Sequence, residues 1–403
     1  MHMRKILNFI VAFAWRKGCS VALLHFAGWR VLELRALERE DERFLGLGLR
    51  AEQTGNSYQR FLPDGAARGF PQTRVRKLGI WTLANSLIRE NSKFPAILDG
   101  NLLLITPRIE SGPYHAYPTP DGKHGGTIEQ RGSQVLIAPP RKPASEVGEA
   151  IYVGTRAQHN WSHWLINFLP GAHLASKHFD NPSIPLIVSA GCKNGASRRE
   201  SLEVFWGGRP VIEVPAGSNL KVRKLHFVEQ PVSDSPRPHA DSMKRRTVGN
   251  RQALDDFREA GQDHGRGGKT TTEAKKIFFA RESFHTRKYT DRAHGALQEL
   301  GFEPVFLNRL SFRDQVATVM NAEEIIGPAG SAFANVIFCE ARTRILLYKE
   351  ELPNWENWYA PLAEAAEASM FFGKLQSRLA GPAGEDDYLK NLKNMIRQWQ
   401  DSA

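Results

Sequence analysis

Cysteine is scarce in this 403-residue chain. Cys19, Cys192 and Cys339 are odd in number, lie far apart and form no C-x-x-C pair. That argues against a disulfide framework and a structural zinc site, and fits a reducing compartment. No other His and Cys spacing suggests a metal set. No run of about 18 apolar residues occurs, so no transmembrane helix is expected. The apolar stretch Ile6–Trp15 is broken by Asn8 and followed by Arg16 and Lys17, with no clear small-x-small cleavage site. It reads as a basic amphipathic helix and not as an export signal.

What is present fits a globular protein: 41% of residues are hydrophobic and 24% charged, which excludes a disordered or collagen-like chain. The length suggests two domains. The net charge of +11 is regional. Residues 1–77 carry +7 and residues 237–288 carry +6, so the remainder is slightly acidic.

Leu and Val at three- and four-residue spacing predict helix over residues 1–50, and residues 51–73 read as a linker. Residues 75–135 form a small β-rich region. From Gln134 onward, strands alternate with helices. Strands are expected at 134–138, 150–153, 185–190, 210–214 and 222–228, with helices at 163–178 and 195–206. Residues 231–274 hold Pro231, Pro236, Pro238, Gly261, Gly265, Gly267 and Gly268 and read as a polar, basic connector with one helix at 250–259. The alternation then returns. Strands are expected at 276–280, 303–307, 323–327 and 344–348, with helices at 291–300, from 311, and at 332–338. An amphipathic helix closes the chain at 388–399. Such alternation implies parallel β-α-β packing, and ligands in such sheets bind at the carboxyl ends of the strands.

Three segments could carry chemistry. Gly327-Pro328-Ala329-Gly330-Ser331-Ala332-Phe333-Ala334-Asn335 follows a strand and opens a helix. Small residues there let backbone approach a ligand, and a helix start offers unpaired N–H groups to a diphosphate. It is neither G-x-G-x-x-G nor a P-loop, and a tight turn needing Gly for sterics alone is an equal reading. Asn160-Trp161-Ser162-His163-Trp164-Leu165 follows another strand. His163 there could serve as general base and the tryptophans could stack on a sugar face; equally, Trp164, Leu165 and Phe168 could be core. Arg281-Glu282-Ser283-Phe284-His285-Thr286-Arg287-Lys288 follows a third strand, and Arg suits phosphate oxygens; a solvated basic loop is the plainer alternative. No D-x-D, the common carboxylate pair that holds a divalent metal on a nucleotide sugar, occurs.

These residues together resemble glycosyltransferase family 61. The likeness rests on Asn160-x-x-His163-Trp164-Leu165 with Leu169-Pro170, Arg281 and Arg287, Leu310-Ser311-Phe312-x-x-Gln315, and Gly327-Pro328-x-Gly330-Ser331-x-x-x-Asn335-x-x-Phe338, in that order over roughly residues 100–372. Few cysteines and no anchor resemble the bacterial branch, which contributes to capsule and exopolysaccharide synthesis. Two positions depart from the family's pattern. Ala329 stands where many members have His, and Ile345-Leu346-Leu347-Tyr348 lacks an acid that many members carry, with Glu350 or Glu351 nearby.

The resemblance implies an α/β, GT-B-like architecture: two Rossmann-like domains facing across a cleft, here with a helical N-terminal extension. The expected divisions are a basic helical region and linker (1–73), an acceptor domain (74–232), a basic connector (233–274), a donor domain (275–372) and a C-terminal helix (373–403). It also implies inverting transfer from a nucleotide sugar to a glycan or lipid-linked glycan acceptor. His163 and Arg287 are the expected catalytic residues. Arg281, Gly327, Pro328, Gly330, Ser331, Ala332 and Asn335 are expected at the donor, and Asn160, Trp161 and Trp164 at the acceptor. No cofactor and no metal is expected. The expected location is cytoplasmic, with residues 1–30 suited to the anionic inner face of the membrane. Two competitors remain: a non-catalytic glycan-binding or scaffold protein, for which Ala329 is the best support, and a nucleic-acid binder. The charge invites the latter, but the basic segments lack interleaved aromatic platforms.

Overall fold

The computed structural model describes residues 7–8, 10–14, 30–36, 44–46, 59–61, 78–90, 96–97, 102–105, 127–131, 134–137, 145–155, 157–234, 247–270, 272–280, 290–349, 359–375 and 382–401. The chain is mixed α/β and divides into two compact units. The first comprises Met1–Arg50, Lys77–Asn194 and Phe205–Ala240; the second comprises Ala51–Arg76, Gly195–Val204 and Asp241–Ala403.

Four strands of the first unit position its candidate site. They are β1 (Gly79–Arg89), β2 (Ser145–Val153), β3 (Leu186–Ser189) and, further along, β4 (Val211–Val214). A fifth, β5 (Asn219–Val228), lies between β1 and β2 in the sheet. The order β4-β3-β2-β5 is parallel throughout, and β1 adds antiparallel to β5. The chain steps outward from β2 to β3 and β4, then returns to the other side of β2 as β5. That reversal makes the carboxyl ends of β2 and β5 a topological switch point, where open α/β sheets take their ligands. The core beneath is aromatic. Trp81, Tyr152 and Phe227 are nearly or fully buried, with ring centroids 5.9 Å apart for Trp81–Phe227 and 6.3 Å for Tyr152–Phe227.

Between β2 and β3 runs helix α1, which is not uniform. Trp161–His163 is α-helical, Trp164–Phe168 is a π-turn and Leu169–His178 is α-helical again. Pro170 supplies the reason. It has no N–H to give Ile166 and its ring crowds that carbonyl, so the helix widens by one residue. The Leu169 N–H accordingly reaches back five residues to the Trp164 carbonyl. Helix α2 (Ala196–Trp206) then leads to β4.

In the second unit, α3 (Arg251–Gly265) precedes β6 (Lys276–Phe279), α4 (Thr290–Glu299) and β7 (Glu303–Val305). Helix α5 (Phe312–Asn321), β8 (Glu324–Pro328) and a 3-10 helix at Ser331–Phe338 follow. Next come β9 (Arg344–Lys349), α6 (Ala360–Ala365), β10 (Ser369–Lys374) and α7 (Pro382–Asp401). The sheet is wholly parallel, in order β7-β6-β8-β9-β10, with Gln59–Phe61 on the β10 edge. Numbered within this unit, the order is 2-1-3-4-5, a doubly wound sheet with its switch point between β6 and β8. The amphipathic α7 closes this unit's core, with Leu392, Ile396 and Trp399 fully buried.

Several expectations change. Residues 30–36 and 44–46 are strands, not helix. Val31, Leu34 and Leu37 mimic helical spacing, but Leu32 and Leu34 alternate with Glu33 and Arg35, and pairing with Leu102–Ile105 and Gln134–Ile137 decides for the strand. Within 1–30, residues 7–8 and 10–14 are helical. The linker reading of 51–73 fails at Gln59–Phe61, which pairs with Phe371–Gly373. In the connector, α3 runs six residues beyond its expected end. Its glycines are contact points, not loop punctuation. A Cβ on Gly265 would lie 2.5 Å from the Val316 side chain, one on Gly268 would lie 2.7 Å from the Arg313 carbonyl, and one on Gly261 would enter the Phe338 ring.

Candidate functional site

In the first unit, the switch point gathers Asn160–His163 from the start of α1 and Glu229–Gln230 from the end of β5. The loop after β2 turns at Ala157, whose φ of 55° lies in the left-handed region. Asn160 caps α1: its Oδ1 accepts from Ser162 N at 2.9 Å and Ser162 Oγ at 2.7 Å. Both lone pairs are engaged, so its NH2 is what Asn160 can offer a ligand. His163 is half-buried, with Nδ1 3.0 Å from Asn167 Oδ1. Asn167 is buried in the π-turn and its Nδ2 donates to the Val232 carbonyl at 2.7 Å.

The loops around this point are braced by side-chain amides. Gln158 Oε1 accepts from Ser189 N at 2.8 Å, and the Gln230 NH2 donates to the Gly154 carbonyl. Glu229 is fully buried beside them, its N–H donating to Gly79 O at 3.1 Å. Trp161 is half-buried. Trp164 is not an acceptor platform: it is wholly buried and stacked on Phe168 with centroids 4.6 Å apart, leaving no face for a sugar.

In the second unit, the segment after β8 begins at the switch point. Ala329 N donates to Tyr348 O at 2.8 Å, tying the turn to β9, and the Ala329 methyl is buried. Gly330 is extended and caps the 3-10 helix, its carbonyl accepting from Phe333 N at 3.0 Å. Since that is the first bond of the helix, the N–H groups of Ser331 and Ala332 have no intrahelical partner. Both residues are half-buried, as are Pro328 and Gly330.

Gly327 and Asn335 are buried in this turn. A Cβ on Gly327 would meet Phe279 and the Phe333 ring at 3.3 Å. Asn335 is fully buried, and its Nδ2 bends back to the Ala332 carbonyl at 3.0 Å. Arg281 and Arg287, which follow β6 in sequence, lie outside the described residues, as do Glu350 and Glu351. Among the described residues, no group of three or more His, Cys, Asp or Glu is arranged to hold a metal ion, and no helix is long and apolar enough to cross a membrane.

The two clusters thus lie at the switch points of two separate sheets. Residues 161–346 match the family model described as Glycosyltransferase 61. This segment is a glycosyltransferase family 61 domain. It begins at Trp161, the first residue of α1, and ends at Leu346 within β9, so it takes in His163, Glu229 and the Gly327–Asn335 turn. No curated protein matches the chain. The protein is a glycosyltransferase, and such an enzyme requires a sugar donor and an acceptor. Sequence reading missed Asn167, Gln158, Glu229 and Gln230. Asn167 had a signal, since it stands four residues after His163 on one helix face. Glu229 had none, because burial of a carboxylate at a strand end depends on the neighbouring strands.

Proposed function

We propose that this family 61 enzyme is an inverting transferase, moving a sugar from a nucleotide sugar to a glycan or lipid-linked glycan during surface polysaccharide synthesis. The observation that carries this is the pair of partnerless N–H groups at Ser331 and Ala332, at the switch point of a 2-1-3-4-5 sheet. Two adjacent N–H groups and the Ser331 hydroxyl suit a diphosphate. Arg281 and Arg287 supply the positive charge that offsets the leaving diphosphate. His163 takes the proton of the acceptor hydroxyl. The acceptor oxygen attacks the anomeric carbon, the bond to the diphosphate breaks, and the configuration inverts.

In this reading no metal or other cofactor is needed. The acceptor rests near Asn160 and Trp161. The pathway assignment rests on the resemblance to bacterial capsule and exopolysaccharide proteins. The proposed location is the cytoplasmic face of the membrane. Its support is Leu7, Ile10 and Phe13, each about half exposed at three-residue spacing within the helical residues 7–8 and 10–14, with Arg4, Lys5, Arg16 and Lys17 flanking in sequence.

The test is a thermal-shift panel of nucleotides and nucleotide sugars, with EDTA and with Mn²⁺, followed by nucleoside diphosphate release from any hit. A ligand that binds the folded state alone raises the midpoint. A shift retained in EDTA, lost in Arg287→Ala and accompanied by turnover supports the reading. Binding without turnover favours the non-catalytic alternative, for which the buried Ala329 methyl in place of the usual His is the specific observation. No shift with any member overturns the donor site.

A further inference from the structure

The geometry points to Asn167 as a positioning residue that fixes which nitrogen of His163 is basic. This inference rests on His163 being the proton acceptor, but it makes a claim about the imidazole that is tested separately. Asn167 is buried, with 1% of its surface exposed. Its amide orientation is set by its second contact. Nδ2 lies 2.7 Å from the Val232 carbonyl, an acceptor that cannot donate. Reversing the amide would set two oxygens against each other at that distance. The Asn167 oxygen therefore faces His163 Nδ1 at 3.0 Å. An amide oxygen only accepts, so Nδ1 must carry the hydrogen. In the neutral ring the lone pair is then on Nε2.

The helix geometry prepares this contact. The π-turn Trp164–Phe168, opened by Pro170, contains Asn167, and the Asn160 cap fixes the helix start just ahead of His163. The ring is therefore held at Nδ1 by a group that is itself bonded. During transfer, the acceptor O–H proton moves to Nε2 while Nδ1–H keeps donating to the Asn167 oxygen. The resulting cation is met by an oriented carbonyl dipole. After nucleoside diphosphate leaves, the Nε2 proton passes to solvent and the same tautomer is restored.

The experiment uses the full chain labelled with ¹⁵N-histidine at pH 8.5, with His163→Gln to assign the ring among 13 histidines. Long-range ¹H–¹⁵N correlations report the tautomer. The expected result is Nδ1–H for His163, against the Nε2–H form usual in free imidazoles. In Asn167→Leu the population should move to Nε2–H, and kcat for nucleoside diphosphate release should fall about 10- to 100-fold with KM little changed. An Nε2–H ring in the unmodified protein overturns the inference, and so does an unchanged tautomer in a folded Asn167→Leu. If Asn167→Leu does not fold, the unmodified protein still decides. Full turnover by His163→Gln overturns the base assignment instead, whatever the tautomer.

Discussion

Replacing Ser331 by proline deletes one donor N–H from the proposed diphosphate site while disturbing the backbone little. Ser331 is the first residue of the 3-10 helix that Gly330 caps. Its N–H has no intrahelical partner to lose, and helix φ values near −60° match the proline ring. Gly330, with φ 173° and ψ 179°, already has the extended backbone that a following proline demands. Folding stability should therefore change by less than about 1 kcal/mol. Binding should change far more. A hydrogen bond to a charged group contributes about 1.5–3 kcal/mol, so nucleoside diphosphate affinity should fall about 10- to 150-fold. Ser331→Ala removes only the hydroxyl and separates the two donors. Isothermal titration with the nucleoside diphosphate found in the panel is the assay, with a melting curve as control. Unchanged affinity in a folded Ser331→Pro would refute the claim that this turn holds the diphosphate.

Three further outcomes are expected. Trp164→Ala should cost about 3–5 kcal/mol in chemical denaturation, as for a fully buried aromatic, whereas Trp161→Ala should leave the midpoint nearly unchanged and raise the acceptor KM. Gly265→Val should lower the melting temperature by overpacking against Val316, at a cost of at least about 1–3 kcal/mol, while ligand affinity in the folded fraction stays the same. His226 is held below the usual histidine range, chiefly by burial and against its bond to Glu149 at 2.8 Å. Between the folded and unfolded values the unfolded chain binds more protons, so stability falls as pH drops below about 6.5. Glu149, lowered chiefly by its bond to Lys224, adds a second loss below about 4.5. Denaturation midpoints of His226→Gln and the parent at pH 7.5 and 5.5 check the first step, which should shrink in the variant.

The membership of most elements from Gln134 onward was legible because each buries a periodic apolar face. Helix α5 is the clearest case: a helix is expected from 311, and Ser311 caps it, its Oγ accepting from Asp314 N at 3.1 Å. What was misread lay where two periods coexist, as in Val31–Leu37, or where glycine has two meanings. Gly261 and Gly265 look like loop residues in sequence because what they pack against, Phe338 of the 3-10 helix and Val316 of α5, lies far along the chain. The π-turn was written locally in Pro170, but its effect was not.

By itself, the sequence determined the alternation of strands and helices, the short turn at Gly327–Ser331, and the family of residues 161–346. These are local properties, set by side-chain period, backbone freedom and order along the chain. Only the tertiary structure decided which site residues face outward. Trp164 and Asn335 are polar or stacking groups in sequence and buried braces in the fold, while Asn167 and Glu229 reach the switch point through β5 and Val232. Burial and hydrogen-bond direction depend on what a distant strand places opposite, and no local pattern encodes that.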